Sequence, residues 1–319
     1  MPATIARGDW FGSAIDTPHL RQTPDGALWA TWMRKSAAAG HARDIVIARG
    51  WRGRWSAPVA VHDDGTATEH GFVSAWPAGR DRLAVAWLDG RAKAASRDGA
   101  QALRTTTFDA ALRRGGEATL DAAVCDCCHT DVATTARGPL LVYRDRSSAE
   151  VRDIHATAFD GRRWSAPRAV SADGWAMPGC PVNGPAAAAD GARVAVAWYT
   201  AATGTPEVRV ATSTDGGARF AAARSLDLDP AVLGRADVAV HGATTWVAWL
   251  REDAGGQSLW LASIRDGAAP VRRRIATLSG RGMATGAPRL AIARGALHLV
   301  WSDLVDGGPA LSAVRLPVR

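Results

Sequence analysis

The four cysteines of the chain lie around one histidine and form its densest set of residues that could carry chemistry. Cys125, Cys127 and Cys128 directly precede His129, and the fourth cysteine is Cys180. Thiolates together with imidazole are the ligands that copper(I) and zinc prefer. In an extended segment Cys125 and Cys127 face one way and Cys128 faces the other. A site that uses Cys125, Cys127, Cys180 and His129 is therefore easier to build than one that uses all four sulfurs.

Oxidation is the alternative for the same cysteines. Four cysteines allow three disulfide pairings, and the residues leave open a metal site, a disulfide framework and buried or reactive thiols. The spacing matches no zinc finger. The candidate metal ligands, for copper or zinc, are Cys125, Cys127, Cys128, His129 and Cys180.

A second set of candidates consists of charged residues expected on loops near the cysteines. Arginines in this set could hold an anionic ligand through paired hydrogen bonds, whereas an ion-pair network or simple solvent exposure would explain the same residues. No catalytic residue is assigned. The candidate anion- or substrate-binding residues are Arg144, Asp145, Arg146, Arg235, Glu69 and His70.

The elements that position these residues are predicted by a repeat of 51 to 56 residues. Six segments share alternating apolar and small residues that end near an aromatic, as in RLAVAWL (82–88) and RVAVAWY (193–199). Such short segments have the period of a strand, and both of their faces are apolar, which indicates stacked sheets. The aligned aromatics are Trp32, Trp87, Tyr143, Trp198, Trp249 and Trp301.

Three further strand-like segments accompany each aligned segment in most repeats, so the chain predicts six sheets of four strands. This pattern is typical of an all-β fold, a six-bladed β-propeller that forms a single domain over residues 1–319. The sixth repeat lacks an outer strand. We expect the N-terminal segment 3–7 (ATIAR) to supply it, because closure removes an exposed sheet edge.

The aligned aromatics also serve as a ruler for the loops between blades. Cys125 stands 18 residues before Tyr143, and Cys180 stands 18 residues before Trp198. The two cysteines therefore occupy equivalent positions in adjacent blades. We expect them to approach each other, either as ligands of one metal ion or as a disulfide.

Residues 213–220 read Ser-Thr-Asp-Gly-Gly-Ala-Arg-Phe and resemble the Asp box of sialidase-like (BNR-repeat) propellers. The C-D-C-C segment at 125–128 and the C-P-V-N-G-P segment at 180–185 are similar to a bacterial branch of that family. The resemblance implies an exo-sialidase type of glycoside hydrolysis on anionic glycans, with the Asp boxes as structural turns. The family's sialidases carry an R-I-P arginine and a late tyrosine. This chain has no R-I-P, and Tyr143 and Tyr199 lie mid-chain, so we expect no efficient sialidase activity.

Composition limits the remaining classes of function. The formal net charge is +7, yet no run of five basic residues occurs, so nucleic acid is not an expected partner. No segment approaches the ~18 apolar residues of a membrane span. We expect a periplasmic or secreted monomer without a nucleotide cofactor, whose native signal peptide is absent from this sequence. A cytosolic protein is the alternative. The predicted function is thiophilic-metal binding or redox chemistry, with the glycoside hydrolase as the alternative.

Overall fold

The computed structural model describes residues 4–8, 10–13, 16–36, 42–96, 99–282 and 285–318. The chain divides into two compact units, Met1–Asp126 and Cys127–Arg319. The prediction of a single domain over residues 1–319 stays a prediction. Among the described residues, no helix is both long and apolar enough to cross a membrane.

The first unit contains two antiparallel sheets and one short helix. In the first sheet β4 and β5 both pair with β3, and in the second sheet the order is β6-β7-β8-β9. The elements are β1 (His19–Gln22), β2 (Leu28–Lys35), β3 (Arg43–Trp51), β4 (Arg54–Trp55), β5 (Val59–Ala60), β6 (His70–Pro77), β7 (Leu83–Asp89), α1 (Arg91–Ala95), β8 (Gln101–Phe108) and β9 (Ala118–Val124).

The second unit contains four antiparallel sheets, each with its strands in chain order. Three have four strands, and the last has three. The strands are β10 (Asp131–Thr135), β11 (Gly138–Arg144), β12 (Ile154–Ala158), β13 (Arg168–Ala169), β14 (Ala186–Asp190), β15 (Arg193–Thr200), β16 (Glu207–Ser213), β17 (Arg224–Leu228), β18 (Val232–His241), β19 (Thr244–Asp253), β20 (Gly256–Arg265), β21 (Val271–Thr277), β22 (Gly286–Ala293), β23 (Ala296–Val305) and β24 (Gly308–Pro317).

Six consecutive up-and-down sheets with almost no helix are the architecture of a six-bladed β-propeller, as the repeat predicts. Each aligned aromatic lies on the second strand of its sheet and is at least nine-tenths buried. The fourth, outer strand that segment 3–7 was expected to supply is not found among the described residues: the last sheet has three strands, and Ile5 and Ala6 pack against buried residues of the first sheet. Residue 3 lies outside the described residues, and residues 4–7 form no strand.

The buried indoles find their hydrogen-bond partners in carboxylates. In the second unit, Trp198 Nε1 donates to Asp173 at 2.7 Å, and Trp249 Nε1 donates to Asp227 at 2.8 Å. Asp173 lies in the segment before the sheet that contains Trp198, and Asp227 lies on β17, the last strand of the sheet before that of Trp249. In the first unit, Trp87 Nε1 donates to Asp89 at 2.8 Å. Burial of an indole is favourable only when its N–H is satisfied, so these carboxylates stabilise the packing of the sheets.

A second set of aspartates joins the first strands of neighbouring blades. Asp131 on β10 accepts the backbone N–H of Ala187 on β14 at 2.9 Å, and Asp237 on β18 accepts that of Leu290 on β22 at 2.6 Å. Asp237 is buried, and its burial raises the pKa of the carboxyl from 3.8 to about 6, with Arg289 partly offsetting the effect.

The raised pKa of Asp237 predicts the pH dependence of stability. Between pH 3.8 and about 6 the folded protein binds more protons at this site than the unfolded chain. The unfolding free energy therefore falls as pH rises through that window. Asp237→Asn removes this titration, so the stability of the variant relative to wild type should rise by ~2 kcal/mol between pH 4 and pH 7.5. Urea unfolding at both pH values measures it. The exposed Asp306→Asn is the control, and identical pH dependence of Asp237→Asn and wild type would contradict the prediction.

Candidate functional site

The cysteine loop is oxidised. Cys127 and Cys180 form a disulfide with their Cα atoms 6.1 Å apart, and Cys125 and Cys128 are also disulfide-bonded, so no described cysteine is free. Cys180 does bond to this loop, but its partner is Cys127, so the expected pairing of Cys180 with Cys125 is wrong. Cys125 directly follows β9, and the chain then turns at Asp126 and Cys127. A count of residues from the aligned aromatic takes no account of that turn.

Oxidation changes what the cysteine loop offers to a metal. The sulfurs of Cys125, Cys127 and Cys128 lie within 4.8 Å of one another. A metal needs thiolates, however, and a disulfide sulfur is not one. Copper or zinc binding through these cysteines and His129 therefore stays a prediction, and it concerns the reduced protein only.

The C-P-V-N-G-P segment has a structural explanation. The Asn183 amide donates to the carbonyls of Pro181 and Leu233, both at 3.2 Å, and its oxygen accepts the backbone N–H of Arg235 at 2.7 Å. A Cβ at Gly184 would lie 1.9 Å from the carbonyl oxygen of His129. The asparagine and the glycine are thus required to pack the disulfide-bonded loop against the entrance to β18.

Arg144 lies beneath this loop and is buried, with 2% of its surface exposed. Its guanidinium donates to the carbonyls of Asn183 at 2.8 Å, Arg152 at 2.6 Å and Tyr199 at 2.6 Å. The ring of Trp175 lies 5.0 Å from its Cζ. Burial lowers the pKa of Arg144 to about 9. This arginine holds three chain segments together.

The other predicted anion-binding residues in the second unit also have internal contacts. Arg146 binds Glu150 at 2.7 Å, and Asp145 lies 3.7 Å from His155. Arg235 donates to the carbonyl of Thr285 at 2.9 Å. Asp145 and Arg146 directly follow Arg144 in the chain, and Arg235 is linked to Arg144 because both bond to Asn183. The role of these residues in ligand binding stays a prediction.

The predicted pair Glu69 and His70 lies in the first unit. Glu69 Oε1 is 3.4 Å from Arg43 Nη1. His70 is fully buried, and its ring stacks on His62 with the centroids 3.6 Å apart. Solvent exposure, the alternative for His70, is therefore wrong, because strand β6 carries this ring into the interior.

A cleft of about 440 Å³ in the second unit collects arginines and aromatic rings that the sequence did not single out. Arg137 lies in the turn between β10 and β11, and Arg168 lies on β13. Phe159 and Trp164 sit with their ring centroids 5.3 Å apart. We call this site the arginine cleft, and its chief lining residues are Arg137, Phe159, Arg163, Trp164 and Arg168.

The turn at 213–220 forms the opposite wall of the arginine cleft. Asp215 accepts the backbone N–H of Arg219 at 2.9 Å, and Gly216 and Gly217 have φ of 72° and 80°. Arg168 donates to the carbonyl of Gly217, and the stem of Arg137 packs on Gly216, where a Cβ would lie 2.7 Å from it. The Asp215 hydrogen bond and the two glycines with positive φ make this segment a structural turn, as the resemblance to an Asp box implies. The turn also positions two arginines.

The arginine cleft is positively charged. Its described lining contains three arginines and one carboxylate, Asp160. Asp160 accepts the backbone N–H groups of Arg162 and Arg163 at 2.8 and 2.9 Å, and these bonds lower the pKa of its carboxyl. Arg163 Nε also lies 3.8 Å from Asp160 Oδ2, but an exposed pair of this kind contributes little. The Arg163 side chain is 88% exposed and Arg137 is also exposed, so both guanidiniums can reach a ligand in the cleft.

A second cleft, of about 780 Å³, lies between β17 and β21 and has balanced charges. Asp227 accepts hydrogen bonds from Arg251 at 2.7 Å and Arg272 at 3.2 Å. Arg251 also contacts Asp229 at 3.0 Å. Arg251 and Arg272 are therefore neutralised by close contacts within the cleft, whereas the Arg163–Asp160 pair of the arginine cleft is longer, at 3.8 Å, and exposed.

The sequence did contain a signal for the arginine cleft. The segment Phe159-Asp160-Gly161-Arg162-Arg163-Trp164 is a degenerate copy of the 213–220 turn. Such turns resemble structural elements, so no chemistry is expected of them from the sequence. Only the fold shows that the two turns enclose one cleft.

The contacts of Arg144 predict a structural role that a neighbouring arginine lacks. Arg144→Met removes three hydrogen bonds from a charged donor to buried carbonyls, which should lower the unfolding free energy by at least ~2 kcal/mol. Arg146→Met, the matched control, removes a half-exposed ion pair and should cost less than ~1 kcal/mol. Urea unfolding compares them. Equal stability of the two variants would contradict this role for Arg144.

The Cys127–Cys180 disulfide joins residues 53 positions apart. Its loss frees a long loop in the unfolded chain, so Cys127→Ser/Cys180→Ser should lower the unfolding free energy by about 4 kcal/mol. Cys125→Ser/Cys128→Ser, in which the long loop stays closed, should lose less. Denaturation under non-reducing conditions measures both. If the first variant is as stable as wild type, the disulfide does not constrain the fold.

Comparisons with known proteins agree with the fold. No protein-family model matches the chain, and no curated protein matches it. Similar solved structures include a protein of unknown function from Dyadobacter fermentans, with 12% identity over 95% of this chain and 94% of that one (TM-score 0.58). Penicillium chrysogenum α-L-arabinanase complexed with arabinobiose matches with 11% identity over 95% of this chain and 93% of that one (TM-score 0.57). Trypanosoma rangeli sialidase in complex with sialic acid matches with 9% identity over 94% of this chain and 53% of that one (TM-score 0.55). The chain therefore shares its propeller fold with glycosidases, and at these identities the likeness shows the fold alone.

Proposed function

We propose that this protein binds an acidic carbohydrate in the arginine cleft of its second unit. The observation that carries the proposal is the combination of three arginines, one internally engaged carboxylate and two aromatic rings around about 440 Å³. That volume lies within the usual range of small-ligand sites. The class of ligand is a sugar that carries carboxylate or sulfate groups.

The chemistry of the lining residues fits such a ligand. A guanidinium binds a carboxylate or sulfate through two parallel hydrogen bonds. The indole of Trp164 and the ring of Phe159 offer an apolar surface for the C–H face of a sugar. Arg137 and Arg163 are exposed and can close on the ligand, while Arg168 is held by the Gly217 carbonyl.

Binding without hydrolysis is the activity that this cleft supports best. Glycoside hydrolysis uses two carboxyl groups on either side of the scissile bond. The described lining of the arginine cleft has one, Asp160, and its oxygen already accepts two backbone N–H groups.

The disulfides support a location outside the cytoplasm. Disulfides persist in oxidising compartments and are rare in the cytosol, and all four cysteines of this chain are disulfide-bonded. A periplasmic or secreted protein would meet acidic polysaccharides of cell surfaces and matrices. Location and ligand are thus part of one proposal.

Calorimetric titration with oligogalacturonate, a carboxylated oligosaccharide, tests the proposal, with a neutral galacto-oligosaccharide as the comparison ligand. Wild type should bind only the acidic ligand, and binding should weaken with added salt. Arg137→Gln/Arg163→Gln and Trp164→Ala should each weaken binding at least ~10-fold, as expected from loss of charged hydrogen bonds or of stacking. The matched control is Arg273→Gln, an exposed arginine on β21 outside the cleft.

Two outcomes would overturn the proposal. The first is equal binding of the acidic and the neutral ligand, or equal weakening by the Arg273 control. The second is robust hydrolysis of a fluorogenic sialoside that persists in Arg137→Gln/Arg163→Gln, because activity would then reside outside the arginine cleft.

A further inference from the structure

Two stacked histidines lie where the first two sheets of the first unit join, in a place that neither the cysteine loop nor the arginine cleft involves. His62 lies in the loop between β5 and β6, and His70 is the first residue of β6. The ring centroids are 3.6 Å apart, with an interplanar angle of 13°. Both residues are buried. The rings therefore connect the loop that leaves the first sheet to the strand that begins the second.

The contacts of His62 fit a neutral imidazole. Its Nδ1 lies 3.0 Å from Asp64 Oδ2, and its Nε2 lies 3.4 Å from the backbone nitrogen of Ile45. A neutral ring carries one proton, so Nδ1–H donates to the carboxylate of Asp64 while the lone pair of Nε2 accepts the N–H of Ile45. His62 thus ties its own loop to strand β3 through both ring nitrogens.

A second proton on His62 is incompatible with the Ile45 contact. An imidazolium donates through both nitrogens, so its Nε2–H would face the N–H of Ile45. Asp44 Oδ1 lies 3.8 Å from the same Nε2 and is an acceptor on that side. A small shift of the ring toward Asp44 satisfies the new proton, and the N–H of Ile45 then loses this acceptor inside the unit.

The groups that face His62 determine how readily it takes up that proton. Burial opposes protonation most strongly, and the stacked imidazole of His70 opposes it as well. The carboxylates of Asp64, Asp44 and Asp89 favour it. The first two effects prevail, so the pKa of His62 is lowered from its usual 6.5.

Two arginines from other elements also face these carboxylates. Arg91 on α1 lies 2.7 Å from Asp89 and 3.3 Å from Asp64. Arg34 on β2 lies 3.6 Å from Asp44, and its side chain is 48% exposed. The arginines partly neutralise the carboxylates, which weakens the attraction that the carboxylates exert on a proton at His62.

A cavity of about 320 Å³ gives solvent access to the Nε2 edge of His62. Asp44 and His62 line it, together with Asp63 and Thr66. The side chain of Asp44 is 21% exposed, whereas that of His62 is 5% exposed. A proton can thus reach Nε2 from the cavity without any opening of the sheet.

The loop that His62 anchors also contacts both sheets. Asp63 pairs with Arg114, which lies between β8 and β9 of the second sheet. The carbonyl of Thr68 accepts the backbone N–H of Arg43, on β3 of the first sheet, at 3.0 Å. Loss of the His62 anchor therefore loosens the segment that joins the two sheets.

We propose that the contacts of His62 with Asp64 and Ile45 form an acid-sensitive latch between the first two sheets. The neutral ring closes the latch and holds the loop 62–68. The protonated ring exchanges the N–H of Ile45 for the carboxylate of Asp44, and the loop opens. Because the pKa of His62 is lower in the folded protein than in the unfolded chain, the latch weakens as pH falls below 6.5. The titration of Asp237 has the opposite sign and cannot produce this effect.

Histidine NMR and amide hydrogen exchange of the full chain, from pH 8 to pH 4, test the proposal. The Cε1–H signal of His62 reports its protonation. The Ile45 amide reports the latch, as a protection factor corrected for the intrinsic pH dependence of exchange. In wild type both should change with one midpoint below 6.5. The protection of Ile45 should fall at least ~10-fold on acidification, the equivalent of one pKa unit.

Two variants separate the latch from general acid destabilisation. His62→Gln keeps an acceptor for Ile45 and a donor for Asp64 but takes up no proton, so the protection of Ile45 should not fall on acidification. Asp44→Asn should lower the His62 and Ile45 midpoints together, because it removes a charge that favours the protonated ring. The matched control, His241→Gln, removes an exposed histidine beside an aspartate of the second unit and should behave as wild type.

The proposal is overturned if the protection of Ile45 does not follow the His62 midpoint in wild type, or if His62→Gln loses protection on acidification as wild type does. Asp44→Asn decides the question if the His62 variant fails to fold. Midpoints of His62 and Ile45 that stay unchanged in this variant, or that separate from each other, contradict the latch.

Discussion

The hydrogen bond between a buried indole and a carboxylate is the contact on which the sheets depend. Burial of Trp198 and Trp249 removes a large apolar surface from water, but each N–H then requires an acceptor. Asp173 and Asp227 supply it from the preceding segment. Each of these carboxylates is itself buried and needs positive charge, which Arg209 gives to Asp173 at 3.0 Å and Arg251 gives to Asp227 at 2.7 Å.

This chain of requirements explains why many arginines of a basic protein are unavailable to ligands. Arg209 and Arg251 neutralise the carboxylates behind the tryptophans, and Arg144 is held by three carbonyls. The net charge of +7 thus overstates the charge that a partner can contact. Arg137 and Arg163 differ because they lie on turns and do not pair with the aspartates that accept the tryptophan N–H groups. Their side chains remain exposed at the arginine cleft.

The repeat could be predicted because each of the six sheets buries one aromatic residue on its second strand. The aligned aromatics recur at near-equal spacing since each occupies the second strand of a sheet, and the fold class follows from that spacing. The loops could not be predicted in the same way. Cys127 and not Cys125 bonds to Cys180 because the chain turns at Asp126 and Cys127, and so short a turn leaves no periodic pattern in the sequence. Guanidiniums bound to carbonyls, as in Arg144, likewise have no sequence signature.

The proposed sites show why functional residues on loops could not be predicted from the repeat. The arginine cleft needs two turns 50 or more residues apart, and the latch needs Ile45 and His62 from two separate segments. His70 was chosen from its place in the repeat, but His62, which stacks on it, was not, because no spacing connects them. A rigid sheet tolerates different residues wherever its strands turn. The positions that depart from the repeat are therefore the ones at which this propeller can differ from others of the same fold.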